Sequence, residues 1–272
     1  MATKQRDIFK LARIQKKYES ELLTCFRAFR DHALESLKRS RALETPRFLE
    51  PEFDLVNMHD DMERYREIDI LQPSQSIIDK YDTQVFRKGA VVGERQLKAI
   101  GISIGLGVDT PIDQRVIQNL VARDISDLEN ISQEMSTQIM RELAEGNQLG
   151  ESYSKMAARI TGKWEEIGAN RARTLVVTET QLAANTAART RYEQAGIEYA
   201  EWLTADDERV SDQDINKNGI VFVLADGITI GALPGQGYVP EDSAVLPPSH
   251  PRCRCGIVPL TTAEVRRRGL IS

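Results

Sequence analysis

From Leu11 to Leu37 apolar side chains return every three or four residues, at Leu11, Ile14, Tyr18, Leu22, Cys25 or Phe26, Phe29, Ala33 and Leu37. Neither Gly nor Pro interrupts the chain before Pro46. A period near 3.6 with no breaker dictates one long amphipathic helix over the first 41 residues. Residues 1–50 hold 12 Lys/Arg against 7 Asp/Glu, so the faces away from the stripe are basic. Such a stripe is expected to pack on a neighbouring helix, in the same chain or in a partner.

A second stripe runs through Ile112, Val116, Leu120, Ile125 or Leu128, Ile131, Met135, Ile139 and Leu143, and Gly146 closes it. Its start has the chemistry of a helix N-terminus: Thr110 as cap, Pro111 in the first helical position and Asp113 in the first turn. Between the two stripes, residues 42–75 carry Pro46, Pro51, Pro73 and the acidic cluster Asp60, Asp61 and Glu63, which predicts a connector with short helical pieces. Helical pattern returns over 76–104 with Val85, Phe86, Gly89, Val92 and Leu97. The glycines of 105–110 do not make a phosphate cradle, because no Gly-Lys-Ser/Thr follows and no strand precedes.

A shorter helix, capped near Glu151, Ser152 or Ser154, is expected to carry Met156, Ile160 and Trp164, with Gly168 opening the last long helix to about Gln194. On that helix Thr178, Leu182, Asn185 and Arg189 share a face. A capping or solvent contact and an interdomain hydrogen-bond network both account for such a face. After Gly196 the period shortens to two, predicting strands at Tyr199–Leu203, Ile220–Leu224 and Gly227–Ala232. The expected class is therefore α+β, a mainly helical N-terminal body with a small β-rich C-terminal domain. The expected boundaries are 1–104 for the helical region with its connector, 105–196 for a second helical part, 197–260 for the β-rich module and 261–272 for a basic tail.

Hydrophobic residues at 41% and charged residues at 28% fit a soluble globular chain. The apolar runs fall short of the roughly 18 residues of a membrane span. The first residues are charged throughout, unlike a signal peptide, so a reducing cytoplasm is the expected compartment. The net charge of −5 argues against bulk attraction to nucleic acid. The C-terminus departs from that mean. There Arg252, Arg254, Arg266, Arg267 and Arg268 face only Glu264, which makes them the candidate DNA-phosphate contacts.

The chain holds three Cys, and two of them fall in His250-Pro-Arg-Cys253-Arg-Cys255. A His and two thiols within six residues can bind zinc, with Asp212, Asp214 or Asp242 as an oxygen ligand in fourth place. A metal-free turn with buried thiols accounts for the same residues. Asp214, Asn216, Asn218 and Gly219 match the first half of a calcium loop, but Ala225 stands where a bidentate Glu is required, so an Asn-Gly turn entering a strand is expected instead. The acidic residues Asp206, Asp207, Glu208, Asp212 and Asp214, with His250, also allow a metal-dependent nuclease as an alternative. No motif compels an enzyme.

Residues 171–209, with Arg173, Thr178-Glu179, Asn185-Thr186-Ala187, Gly196, Trp202 and Asp206-Asp207-Glu208-Arg209, resemble the Mu F-like head-morphogenesis family, the minor head proteins of tailed bacteriophages. The closing element of that family, Pro-Pro-x-His-Pro-x-Cys-Arg-Cys, stands here as Pro247 to Cys255 with His250, Cys253 and Cys255 in place. Many members carry Cys-x-x-Cys after the Asp-x-x-Arg element, where this chain has Ser211 and Asp214. The resemblance implies a structural minor capsid protein of the virion, without catalysis and without an obligatory cofactor, zinc being the one candidate. It implies the portal protein as partner, with scaffold and major capsid protein nearby. It further implies a place in the head interior near the portal vertex after assembly in the host cytoplasm, and contact with double-stranded DNA in packaging or ejection.

Overall fold

The computed structural model describes residues 8–42, 54–105, 110–205, 210–225, 229–232 and 246–272. Pro46, Pro51, the loop 106–109, Asp206, Asp207, Glu208, Arg209, Gly227, the glycines and prolines of 233–245, and Asp242 lie outside them. The elements are α1 (Ala12–Ala42), α2 (Leu55–Tyr65), α3 (Gln72–Ala99), α4 (Pro111–Gln148), α5 (Tyr153–Lys163), α6 (Asn170–Gln194), β1 (Tyr199–Leu203), α7 (Asp212–Ile215), β2 (Ile220–Val223), β3 (Thr229–Ala232), β4 (Gly256–Leu260) and α8 (Thr262–Arg267). The class is α+β, a helical body followed by a small antiparallel sheet. Contacts divide the chain into two compact units, one of residues 16–80 and 121–176, the other of 1–15, 81–120 and 177–272.

In the 16–80/121–176 unit the apolar stripe of α1 is consumed by the chain itself. Tyr18, Leu22, Phe26, Phe29, Ala33 and Leu37 have no exposed surface. Burying side chains of this size contributes about 1.5–3 kcal/mol each. Freeing the stripe to dock on a partner would therefore forfeit roughly 10 kcal/mol. Of the two neighbours expected for the stripe, one in the same chain is what the structure shows, and what α1 offers to solvent is its basic side, including Lys16, Lys17 and Arg27. Trp164 closes the same core, its indole N–H donating to the Phe26 carbonyl at 2.7 Å while the Arg30 guanidinium lies 4.6 Å from its ring centre.

Two expected breaks are absorbed rather than made. Residues 55–99 form one helical run through the later part of the predicted connector, because the π-helical turn Arg66–Leu71 widens the helix just before Pro73. The Gln72 N–H reaches back five residues to the Glu67 carbonyl, and the wider turn relieves the clash that a proline ring makes with the carbonyl four residues earlier. The acidic cluster lies on α2. Asp61 accepts from Ser36 and Arg39, and Glu63 accepts from Arg66 and Ser136. Likewise α5 and α6 are joined by the π-helical turn Trp164–Ala169, so Gly168 does not open a helix. It permits a close approach instead, since a Cβ there would stand 2.5 Å from Met135 Sδ and 3.0 Å from Phe26 Cδ1.

The other unit is built on the later turns of α6, which are buried on nearly every side. Ala183, Ala184, Ala187 and Ala188 are at most 1% exposed. Their small size admits α3 at backbone distance. A Cβ on Gly89 would sit 2.8 Å from Ala184 Cα, and one on Gly93 would sit 2.9 Å from Ala188 Cα. Further along α6, Arg191 is fully buried and grips Asp113 with two bonds of 2.8 Å. Asp113 also completes a reciprocal cap on α4, accepting from the Thr110 N–H at 3.0 Å while its own N–H donates to Thr110 Oγ1. Burial alone pushes the Asp113 carboxyl up, but Arg191 and Thr110 hold it below the usual carboxylate value. A charge so deep is tolerated because it is paired and its lone pairs are satisfied.

The sheet has the order β3-β2-β1-β4, all neighbours antiparallel. Central β1 pairs Trp202 with Ile257 and Tyr199 with Leu260 of β4. The last residues are not a loose tail: α8 is capped by Thr261, and its Val265 is buried with Val221 and Leu260.

Close α3–α6 contact predicts opposite outcomes at two glycines. Gly89→Val should destabilise the protein by about 1–3 kcal/mol, because backbone has to move. Gly162→Ala, at a helical site with nothing within 4 Å of the added carbon, should stabilise by about 0.5–1 kcal/mol. Denaturant unfolding checks both, and a neutral Gly89→Val would contradict the packing described.

Candidate functional site

Asp214 lies in the single turn of α7 with its side chain turned inward, 1% exposed. The N–H of Asp214 bonds the Ser211 carbonyl, and the turn closes with Gly219 at φ +82°, from which β2 departs. Asn218 holds this turn to the end of β1 by accepting from the Thr204 N–H at 3.1 Å. An Asn-Gly turn into a strand thus occupies the stretch that resembled half a calcium loop.

Opposite Asp214 the chain makes a second tight turn from His250 to Cys255. The Cys253 N–H bonds the His250 carbonyl at 3.1 Å, and Arg252 takes a left-handed φ of +63° to allow it. The strained residue is pinned from α6, since the Arg252 N–H donates to Thr178 Oγ1 at 3.0 Å. Two more α6 side chains hold the end of the turn. Gln181 Nε2 and Asn185 Nδ2 donate to the Cys255 carbonyl at 2.8 and 3.0 Å. The face shared by Thr178 and Asn185 therefore serves a buried network, and Arg189 on the same face reaches Glu193 and the Ala225 carbonyl.

Between the two turns the side chains converge on one carboxylate. Asp214 Oδ2 lies 2.7 Å from His250 Nε2, 3.3 Å from Cys253 Sγ and 3.4 Å from Cys255 Sγ. Its other oxygen, Oδ1, accepts from Ser249 Oγ at 2.8 Å and Lys217 Nζ at 2.9 Å. Lys217 also sits 5.1 Å from the ring centre of buried Trp202. His250 is oriented from its far side, its Nδ1 bonding the Pro251 carbonyl at 2.8 Å, and Ser211 Oγ is 3.0 Å from Nε2. Because a carbonyl can only accept, Nδ1 carries a proton.

The electrostatics follow from these contacts. Burial raises the Asp214 carboxyl, but bonds from Lys217, Ser249 and Cys253 outweigh it and bring it down to about 2. Burial depresses the His250 imidazole, yet the Pro251 carbonyl and Asp214 leave it raised. The thiols split: the bond from Cys255 lowers Cys253, while the same bond and burial raise Cys255.

The remaining sequence candidates fall elsewhere. Arg173 pairs with Glu19 at 3.2 Å and bonds Asn170. Glu179 is buried, and Asp212 is exposed on α7. Of the C-terminal arginines, Arg268 is tied to Glu201 and Glu264 at 2.9 and 2.8 Å, Arg267 pairs with Glu264, and Arg266 bonds the Ser272 carbonyl. Sequence reasoning missed Gln181, Lys217 and Ser249. Gln181 precedes Asn185 by one helical turn, which is the signal that places both on one face.

Residues 137–258 match the family described as Phage Mu protein F like protein. The matched segment runs from α4 to β4 and contains every side chain of the Asp214 cluster and its α6 supports. Residues 137–258 thus form a region similar to Phage Mu protein F like proteins. No curated protein and no solved structure matches it. Among the described residues no helix is long and apolar enough to cross a membrane.

The doubly accepted Cys255 carbonyl yields a coupled prediction. Gln181→Ala or Asn185→Ala alone leaves it one donor and should cost about 1 kcal/mol. The double variant orphans it in the interior and should cost more than the sum. A double-mutant cycle in urea measures this, and strict additivity would contradict a shared acceptor.

Proposed function

We propose that the chain is a minor head protein of a tailed phage, acting in head morphogenesis through association with the portal inside the procapsid and virion. Scaffold and major capsid protein are its neighbours there, and assembly takes place in the host cytoplasm. The observation that carries this reading is the Mu F-like match, which covers the buried α6-to-Cys255 network as one piece. The α1 stripe is spent internally, which leaves the basic side of α1 as a surface for partners. A portal contact of this kind is expected to weaken with salt.

Contact with packaged DNA is the second part of the proposal. Arg266 and Arg267 lie exposed on α8, and Arg252 is exposed on the 250–255 turn, with Arg254 beside it half-buried. Arg268 serves the fold by neutralising Glu201, which is 12% exposed at its side chain, so it is a poor probe of DNA binding.

A nuclease built on Asp214 and His250 is less well supported. The Asp214 carboxylate is engaged by five side chains, those of Lys217, Ser249, His250, Cys253 and Cys255, and it is 1% exposed. A hydrolytic centre keeps a position open for water and substrate, and a closed set of ligands suits a structural role.

Co-expression with the cognate portal protein, followed by size exclusion with mass determination, should give co-elution at a fixed ratio. Elution as a free monomer would count against portal association. In a DNA-binding titration, joint Arg266→Ala and Arg267→Ala replacement should reduce the slope of log affinity against log salt by about 0.9 for each phosphate that is no longer neutralised. An unchanged slope would remove these arginines from DNA contact.

A further inference from the structure

We propose that Asp214, His250, Cys253 and Cys255 together form a tetrahedral zinc site that staples the α7 turn to the 250–255 turn. The inference rests on this geometry alone and holds whether or not the portal reading does.

The edges from Asp214 to the two sulfurs already approach the lengths such an ion requires, and closing the set around one ion takes a further movement of the Cys255 side chain, which stands outside the close group of Asp214, His250 and Cys253. With metal–ligand lengths of about 2.0 Å for oxygen and nitrogen and about 2.3 Å for sulfur, tetrahedral neighbours lie about 3.3 Å apart for an O–N pair and about 3.5 Å apart for an O–S pair. Asp214 Oδ2 stands 3.3 and 3.4 Å from the two sulfurs and 2.7 Å from His250 Nε2. One atom of each of Asp214, His250 and Cys253 lies within 4.8 Å of the others. Of these three edges only the O–N one is much shorter than a coordinated edge, and a small rotation of the partly exposed imidazole lengthens it.

Supporting contacts aim the right atoms inward. Asp214 has its Oδ1 occupied by Ser249 and Lys217, which leaves Oδ2 to face the two thiols. His250 has its Nδ1 proton held by the Pro251 carbonyl, which leaves Nε2 as the donor; outer contacts of this kind orient metal-binding His in known sites. The left-handed Arg252 bends the chain so that Cys253 and Cys255, two residues apart, both turn to the same point. Donor chemistry selects the ion: two thiols and an imidazole favour zinc over magnesium or calcium, which require oxygen shells. All four positions are filled by protein, so the ion would be structural.

The ion adds what the small module lacks. Strands β1, β2 and β4 are four or five residues each, and such a sheet has little core of its own. A metal joining the segment before β2 to the segment before β4 holds the flanks of that sheet together, and through the Cys255 carbonyl it also holds α6.

Expression of the full chain in zinc-supplemented medium and purification without chelator should yield about one zinc per chain by elemental mass spectrometry. Cys253→Ser and Asp214→Asn should each lower zinc affinity at least about tenfold, and Asp212→Asn, exposed on the same short helix, should not. Because a ligand variant can fail to fold, cobalt(II) loading of the unaltered chain provides an independent readout. It should show a thiolate-to-cobalt charge-transfer band and intense tetrahedral bands. Fewer than about one zinc per ten chains, a cobalt spectrum without the charge-transfer band, or equal loss in Asp212→Asn would overturn the assignment.

Discussion

The carbonyl of Cys255 is the point on which the 177–272 part of the chain depends. Gln181 and Asn185 hold its oxygen from α6, its side chain faces Asp214, and β4 begins at the next residue. One residue therefore joins the last long helix, the α7 turn and the sheet. Gly256 follows in a tight space: a Cβ there would lie 2.7 Å from Ile8 Cδ1, so the tip of that side chain would have to shift. Tyr192, further along α6, extends the seam by donating to the Ile257 carbonyl at 3.2 Å.

The α6 helix can carry so many buried polar groups because its key polar side chains have partners of fixed geometry. Arg191 meets Asp113 through two parallel bonds, and Asp113 is at the same time the cap of α4. Removing either partner would leave the other charged in the interior, a loss of about 3–5 kcal/mol. Buried ion pairs contribute little net stability, but mispairing them is costly, so they specify which surfaces meet. The alanines between these polar positions do the complementary work of letting α3 approach at backbone distance. Specific polar contacts and close small-residue packing thus act on one helix at once.

The long helices were legible because period, caps and breakers agree over many turns. The Thr110, Pro111 and Asp113 start of α4 is an example, down to its reciprocal bonds. The β switch after Gly196 was equally plain. What misled was punctuation. Pro73 and Gly168 read as breaks, yet π-helical turns carry the helix through both, and no local pattern in six residues announces such a turn. The fate of the α1 stripe was also beyond a local reading, since amphipathicity states that a face is buried without stating by what. In the site, the His250, Cys253 and Cys255 spacing stood out by itself. Asp214 lies 36 residues before His250, and only the fold brings its carboxylate up to the thiols.

The most direct test of this account is zinc K-edge absorption fine structure on the full-length chain purified with its metal. The account predicts a four-coordinate first shell of two sulfurs and two lighter atoms, at about 2.3 and 2.0–2.1 Å. A shell of nitrogen and oxygen alone, or of higher coordination number, would show that the metal sits elsewhere and that the Asp214 cluster is held by hydrogen bonds only.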